Sequence, residues 1–391
     1  MASTRPRLNS LSARGVLSFG EMTLPLQGLN VLVGPNGSGK SNLIELIALM
    51  RSMSAEFGTV IRQGGGAREW VHKSTAFNEA RLCAEMQLDS VPTGLRHLID
   101  LVAVESTFVV QREVLDNPVP NPGKERSYFF YNFENGRPMI GAKNETGRRE
   151  LQRDTVTTDR SIVAQRRDPD TYPEITAVAD FYETIRIFRD WSFGRTTVFR
   201  VPQPADGRSD RLEEDFSNLG LVLNRLRRNS VAKAAMIEQL RRLYEGFEDF
   251  DVAVEGGTVQ VVFQESGQAI PATRLSDGTL RYLCLLAILC DPNPPPVICI
   301  EEPELGLHPD VLPGLADLLI DAATRCQLIV TTHSDILIDA LSDTPDSVVI
   351  CERHSGTTVL RRLVRDDLTV WLEKYRLGQL WTRGDLGGVR W

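Results

Sequence analysis

Eight residues, Gly34-Pro35-Asn36-Gly37-Ser38-Gly39-Lys40-Ser41, constrain this chain more than any other stretch. They follow the apolar run Leu29 to Val33, suited to a strand buried on both faces. They precede Asn42 to Met53, where apolar residues recur at helical spacing. Strand, glycine loop and helix in that order make one unit built to hold an anion. Glycines let backbone N–H groups curl inward, and the helix N-terminus adds the positive end of its dipole. A glycine-rich turn can be only a turn, but the flanking strand and helix argue against that here. The expectation is a phosphate cradle made by Asn36, Gly37, Ser38 and Gly39. Lys40 should reach the β and γ phosphates of a nucleotide, and the Ser41 hydroxyl should ligate Mg2+.

A second constellation lies far along the chain. The buried run Val297 to Ile300 delivers Glu301-Glu302 at its carboxyl end, where open α/β sheets bind ligands. Adjacent carboxylates there divide the work: Glu301 holds the metal, and Glu302 orients and deprotonates an attacking water. Taken alone, Glu-Glu-Pro-Glu could be an acidic helix start. The preceding strand favours chemistry. Leu275-Ser276-Asp277-Gly278-Thr279 opens a strongly apolar helix, with Ser276 or Asp277 as its simple N-cap. The functional reading presents Ser276 and backbone N–H groups near Gly278 to a γ-phosphate. Thr331-Thr332-His333-Ser334 ends another buried run, which makes His333 a candidate γ-phosphate sensor rather than a structural histidine.

Between these motifs the pattern predicts strands over 7–11, 16–19, 22–26, 81–88, 102–111, 197–201 and 269–274. It predicts helices over 181–190, 219–228, 231–244 and 280–289, and a hairpin over 251–264 around Gly256-Gly257. His308-Pro309 opens a helix through Ala323, 336–341 is helical, and 348–351 with 358–363 read as strands. Strands alternating with helices predict an α/β fold with a mostly parallel central sheet flanked by helices. An antiparallel β subdomain and a mixed insertion between the glycine loop and LSDGT accompany it. The expected division is a head made of 1–90 and 205–391 and an insertion subdomain over 91–204.

Composition excludes other classes. The longest apolar run, Leu283 to Cys290, is too short to cross a bilayer, and the first ten residues carry no secretory signal. The six cysteines are scattered without a CxxC pair, and the five histidines show no zinc spacing; reduced core thiols in a cytoplasmic protein are expected. A net charge of −8 argues against a surface that coats polyanions wholesale. Only six of the 44 basic residues are lysines, which reads as compositional bias.

Taken together in chain order, these motifs resemble the ABC-type ATPase heads of the SMC and RecF superfamily. The likeness rests on the Walker A stretch Gly34 to Ser41, the signature LSDGT, the Walker B stretch VICIEEPE, the D-loop-like Leu305 to Pro309 and the switch stretch TTHS. More narrowly the chain is similar to RecF-like AAA family ATPases, which share LSDGTLR, EEPE before LHP, and a segment like Tyr375 to Trp381. The resemblance covers 16–73 and 272–391 well. It implies a P-loop NTPase of ABC-ATPase head type that binds ATP and Mg2+ and works as a homodimer. Two ATP molecules would lie between subunits, Ser276 and Gly278 acting in trans, and hydrolysis would open the dimer. Glu301 stands where many relatives carry Asp. Gln63 and Gln87 are the two candidates for the Q-loop glutamine, and base contacts fall in the Arg14 to Phe19 region. Lys40 and Ser276 lie 236 positions apart without sustained heptads, so long coiled-coil arms are not expected. Transporter cassettes have a shorter spacing and a glutamine where Thr279 stands. The 58 residues after His333 are too few for an appended nuclease domain.

Two roles for such an ATPase follow. The first acts on nucleic acid, in DNA repair or in defence against foreign DNA. The basic segment 137–167 (Arg137, Lys143, Arg148, Arg149, Arg153, Arg160, Arg166, Arg167) would be its phosphate-contacting surface. The second controls a separate effector, a nuclease or toxin, without touching DNA.

Overall fold

Residues 5–74, 79–120, 123–124, 127–141, 148–152, 156–192, 194–195 and 197–388 are described by a computed structural model of the chain. They fall into two units, one of residues up to Ile185 with Val349–Arg362, the other of Arg186–Val348 with Leu363–Leu386.

The first unit opens with the hairpin β1 (Arg7–Val16) and β2 (Phe19–Pro25). Then β3 (Leu29–Val33), buried at every residue, runs into the glycine loop. Helices α1 (Lys40–Ser52), α2 (Phe57–Gln63) and α3 (Ala67–Trp70) follow. Next come β4 (Glu79–Leu88), β5 (Val91–Val104), β6 (Thr107–Asp116), β7 (Phe129–Glu134), β8 (Arg137–Gly141) and β9 (Arg148–Glu150). Among the described residues these make an antiparallel sheet in the order β2-β1-β4-β5-β6-β7-β8-β9. Along β4 every second residue, from Ala80 to Leu88, is buried, the period-2 signature of a sheet with one covered face. Helices α4 (Ile162–Gln165) and α5 (Pro173–Thr184) complete this stretch.

The second unit starts with β10 (Arg186–Phe188), β11 (Gln203–Pro204), α6 (Leu219–Leu226) and α7 (Ser230–Leu243). The antiparallel strands β12 (Phe247–Glu255) and β13 (Thr258–Glu265) follow, with β14 (Gln268–Pro271) on β13. Helix α8 (Asp277–Leu289) is buried without a break from Thr279 onward, as an all-round apolar helix must be. Strand β15 (Val297–Glu301), helix α9 (Leu312–Ala322), strand β16 (Gln327–Thr332) and helix α10 (Asp335–Ala340) then alternate. Strand β15 pairs in parallel with both β10 and β16. The hairpin β17 (Val348–His354) and β18 (Thr357–Arg362) returns to the first unit, where β17 lies beside β3. Helices α11 (Arg365–Leu372) and α12 (Leu377–Thr382) belong to the second unit.

Several local expectations are corrected. The run 102–111 is not one strand: Glu105, at φ 56°, and Ser106 turn β5 back as β6. The run 16–19 is likewise the β1–β2 turn. The 181–190 helix starts earlier and stops at Thr184, because Pro173 sits at its first turn and the buried triplet Arg186–Phe188 pairs with β15 instead. Residues 197–201 form turns, with Arg200 N–H bonded to the Thr197 carbonyl. The 269–274 strand gives way at Ala272 to a single 3-10 turn. Residues 91–150 continue the sheet begun by β1, β2 and β4, since Asp89-Ser90 only turns β4 into β5, and 186–204 fall in the second unit. The antiparallel sheet therefore runs on through β9, while β15 pairs in parallel with β10 and β16. No helix among the described residues is long and apolar enough to cross a membrane.

Candidate functional site

In the first unit, Gly34 to Ser41 connects β3 to α1 as the spacing predicts. Gly37 (φ 78°) and Gly39 (φ 103°) take left-handed backbone conformations that favour glycine. Gly39 is also hemmed in: a Cβ there would lie 2.2 Å from Thr358 Oγ1 and 2.8 Å from Ser18 Oγ. Lys40, the first residue of α1, is buried, and its Nζ donates to the carbonyls of Gly34 (2.7 Å) and Pro35 (3.1 Å). Asn36, Gly37 and Ser41 are exposed. The buried Ser38 Oγ has no hydrogen-bond partner among the described atoms.

The underside of the loop is fastened by residues that sequence reasoning missed. Thr358 Oγ1, from β18, donates to the Ser38 carbonyl (2.8 Å) and is bonded to Ser18 Oγ (2.7 Å). Ser18, in the β1–β2 turn, also accepts from Asn42 Nδ2 (2.7 Å). Nothing in the local pattern around Thr358 signals this, because its partners lie over 300 positions away. Of the two Q-loop candidates, Gln87 Nε2 is engaged with the Val91 carbonyl (3.1 Å), while Gln63 ends α2 exposed.

The second unit holds the other motif residues. Strand β15 ends at Glu301, and Glu302 turns left-handed at φ 45°. Its N–H reaches the Thr331 carbonyl (3.0 Å) at the end of β16. This brings Glu302 Oε1 within 3.3 Å of His333 Nε2. A carboxylate and an imidazole at that distance, both about one-third exposed, can share or pass a proton. Glu304, the last residue of EEPE, was not singled out from sequence. Its Oε1 accepts from Thr332 Oγ1 (2.7 Å) and from the His333 N–H (2.7 Å), which sets the start of the switch stretch. Burial raises the Glu304 carboxyl above its ordinary range, opposed by those same two hydrogen bonds.

Ser276 caps α8, accepting from the Thr279 N–H (3.0 Å), as its simple N-cap reading expects. Its side chain is nevertheless exposed. Gly278 sits against the D-loop: a Cβ there would lie 2.9 Å from the Gly306 carbonyl. Arg200, nearly buried, ties the signature loop down through the Leu275 carbonyl (2.6 Å) and an ion pair with Asp277. An open cleft of about 1100 Å3 runs between this loop, β14, the end of α7 and residues 306–309.

Of the basic segment, Lys143 and Arg153 lie outside the described residues. Arg167 pairs with Asp180 (2.7 Å) and Glu183, and Arg149 bonds the Tyr172 hydroxyl (2.5 Å).

The comparisons with known proteins give the family and the fold. A family model described as "AAA domain, putative AbiEii toxin, Type IV TA system" matches residues 29–339. The chain belongs to that AAA domain family. It is thus a nucleotide-binding domain of ATPase type, and the match runs from β3 through α10. No curated protein matches it. Among solved structures, an SMC head bound to the C-winged helix domain of ScpA is 15% identical with a TM-score of 0.55. That similarity covers 93% of this chain and 99% of that one. A second, the Pyrococcus furiosus SMC head with an extended coiled coil bound to the C-terminal domain of ScpA, is 14% identical with a TM-score of 0.54. It covers 94% and 99% of the two chains. The fold is that of an SMC-type head.

Proposed function

We propose that this AAA domain is a Mg2+-dependent ATPase of the RecF-like kind that dimerises head to head around ATP. The observation that carries the reading is the Gly34–Ser41 cradle: left-handed glycines, a buried and unpartnered Ser38 Oγ, and Lys40 held across the loop. Those features fit a phosphate chain. Asn36 to Ser41 would hold the phosphates, and Ser41 with Glu301 would hold Mg2+, which supplies neutralisation of charge developing on the phosphates. Glu302 serves as general base toward the attacking water. His333, at 3.3 Å, steadies that carboxylate and reads the γ-phosphate. Ser276 and Gly278 act on the nucleotide of a second subunit.

Replacing Glu302 by Gln tests this directly. ATP affinity should stay within about twofold, turnover should fall by at least roughly 100-fold, and the protein should elute as a dimer with ATP and Mg2+. Full turnover in that variant would falsify the assignment of the base.

Downstream, control of a separate effector is favoured over direct action on DNA in repair or defence. Arg149 and Arg167 of the basic segment are already engaged within the protein. Purifying the Glu302→Gln protein with ATP decides between the roles: a stoichiometric protein partner supports this reading, and retained nucleic acid with steep salt dependence supports the other.

A further inference from the structure

We propose that Arg281 is a positioning residue for Glu302, holding the backbone of the catalytic carboxylate from the signature helix; this rests on Glu302 being the base.

Arg281 lies on α8, five positions beyond the Ser276 cap, and is 6% exposed. Burying a guanidinium is costly, and here two contacts offset part of that cost. Its Nη2 donates to the Glu302 carbonyl at 2.8 Å, and its plane lies over the Trp191 ring at 4.4 Å from the centroid. Trp191 in turn donates its Nε1 to the Glu301 carbonyl (2.7 Å) and stacks on Phe216 (5.3 Å, 26°). Phe216 stacks on Phe188 (5.5 Å). The two carbonyls at the end of β15 are thus each held by a different side chain of one packed stack.

The need for such a hold is visible in Glu302 itself. A left-handed φ of 45° is uncommon for a residue with a long side chain, and it persists only where the surroundings over-determine it. Its N–H is fixed by Thr331 and its carbonyl by Arg281. Pinning the peptide groups on both sides of one Cα sets the direction in which its side chain leaves. That direction brings the carboxylate to His333. Glu304 and Glu302 balance the charge of Arg281, which burial otherwise disfavours.

Arg281→Gln should lower kcat by about 10- to 100-fold, the range expected when a reacting group is slightly misplaced. KM for ATP and the Kd of a fluorescent ATP analogue should stay within about twofold, since the cradle is untouched. Arg281→Lys keeps a donor for the carbonyl but no flat face for Trp191, so it should recover part of kcat and fall a few-fold short of wild type. In a Glu302→Gln background, Arg281→Gln should cost no further turnover. Hydrogen exchange at residues 301–304 should accelerate in Arg281→Gln. An unchanged kcat, an equal loss in the Glu302→Gln background, or a lysine variant matching wild type in both kcat and exchange overturns the proposal. Should Arg281→Gln fail to fold, the lysine variant alone decides. A wild-type protein without ATPase activity sinks the functional reading instead, and unchanged exchange at 301–304 then still refutes the clamp.

Discussion

Gly39 is the residue with least room to change. Its φ of 103° and the 2.2 Å that a Cβ would leave to Thr358 Oγ1 act together. Gly39→Ala should destabilise the protein by more than about 1–2 kcal/mol, the backbone cost alone, and abolish nucleotide binding. At Gly37 nothing lies within 4 Å of the added carbon, so Gly37→Ala should show only the backbone cost. Denaturant midpoints and a fluorescent-nucleotide titration separate the two. Lys40→Ala should lose nucleotide affinity in the same titration, since its Nζ spans the loop at the carbonyls of Gly34 and Pro35. The thiols give a test in pH. Burial pushes Cys83 up to about 11 and Cys290 and Cys351 up to about 12. With Cys83 titrating near 11, only about one in 1000 of its molecules is thiolate at pH 8. Alkylation of native protein at pH 8 should be slow at these positions and accelerate as pH rises toward 11; rapid labelling at pH 8 contradicts the burial. At this scale the glycine loop was legible because its spacing is local. Thr358, Ser18 and Trp191 were not, because each acts through a partner remote in sequence.

Among elements, the first unit carries a buried polar fastening. His97 on β5 joins the Tyr182 hydroxyl on α5 (Nδ1, 3.0 Å) to Glu113 on β6 (Nε2, 2.9 Å). Glu113 also accepts from the Ile162 N–H (2.9 Å) and the Ser161 hydroxyl at the start of α4. All four side chains are buried. Glu113→Ala strands several donors at once and should cost about 3 kcal/mol or more in chemical denaturation. A loss near zero means the network contributes nothing. The Ser276 cap is a smaller matter for stability: Ser276→Ala should cost about 1 kcal/mol in chemical denaturation. Elements with a strong period, such as α8 and β15, were readable. The helix expected over 181–190 failed because Arg186–Phe188 is short, and a three-residue strand is defined by its neighbour β15 rather than by its own pattern. The strands after residue 91 were obscured for a related reason: their turns at Glu105-Ser106 and Asn135-Gly136 interrupt runs whose composition reads as continuous or polar.

For the whole molecule, the motif order in sequence was enough to foresee an ATPase head, and the family match bears that out. The extent of the antiparallel sheet was not foreseen, because pairing across β4, β5 and β6 depends on contacts no window of sequence contains. The dimer proposed above makes one prediction at this scale. Lys40→Ala and Ser276→Ala proteins, each inactive alone, should regain activity when mixed. One composite site would then combine an intact loop with an intact serine, and up to about one quarter of sites should be whole if subunits exchange freely and assort at random. No recovery after overnight exchange, with dimers confirmed by size, would mean that each chain completes its own site.

Thr358 belongs to the late hairpin, yet it props the loop that begins at Gly34. A chain still on the ribosome would have the glycines, the lysine and the helix long before the strand that braces them. Until that hairpin emerges, the glycine loop lacks its brace, and the growing polypeptide should have little hold on ATP.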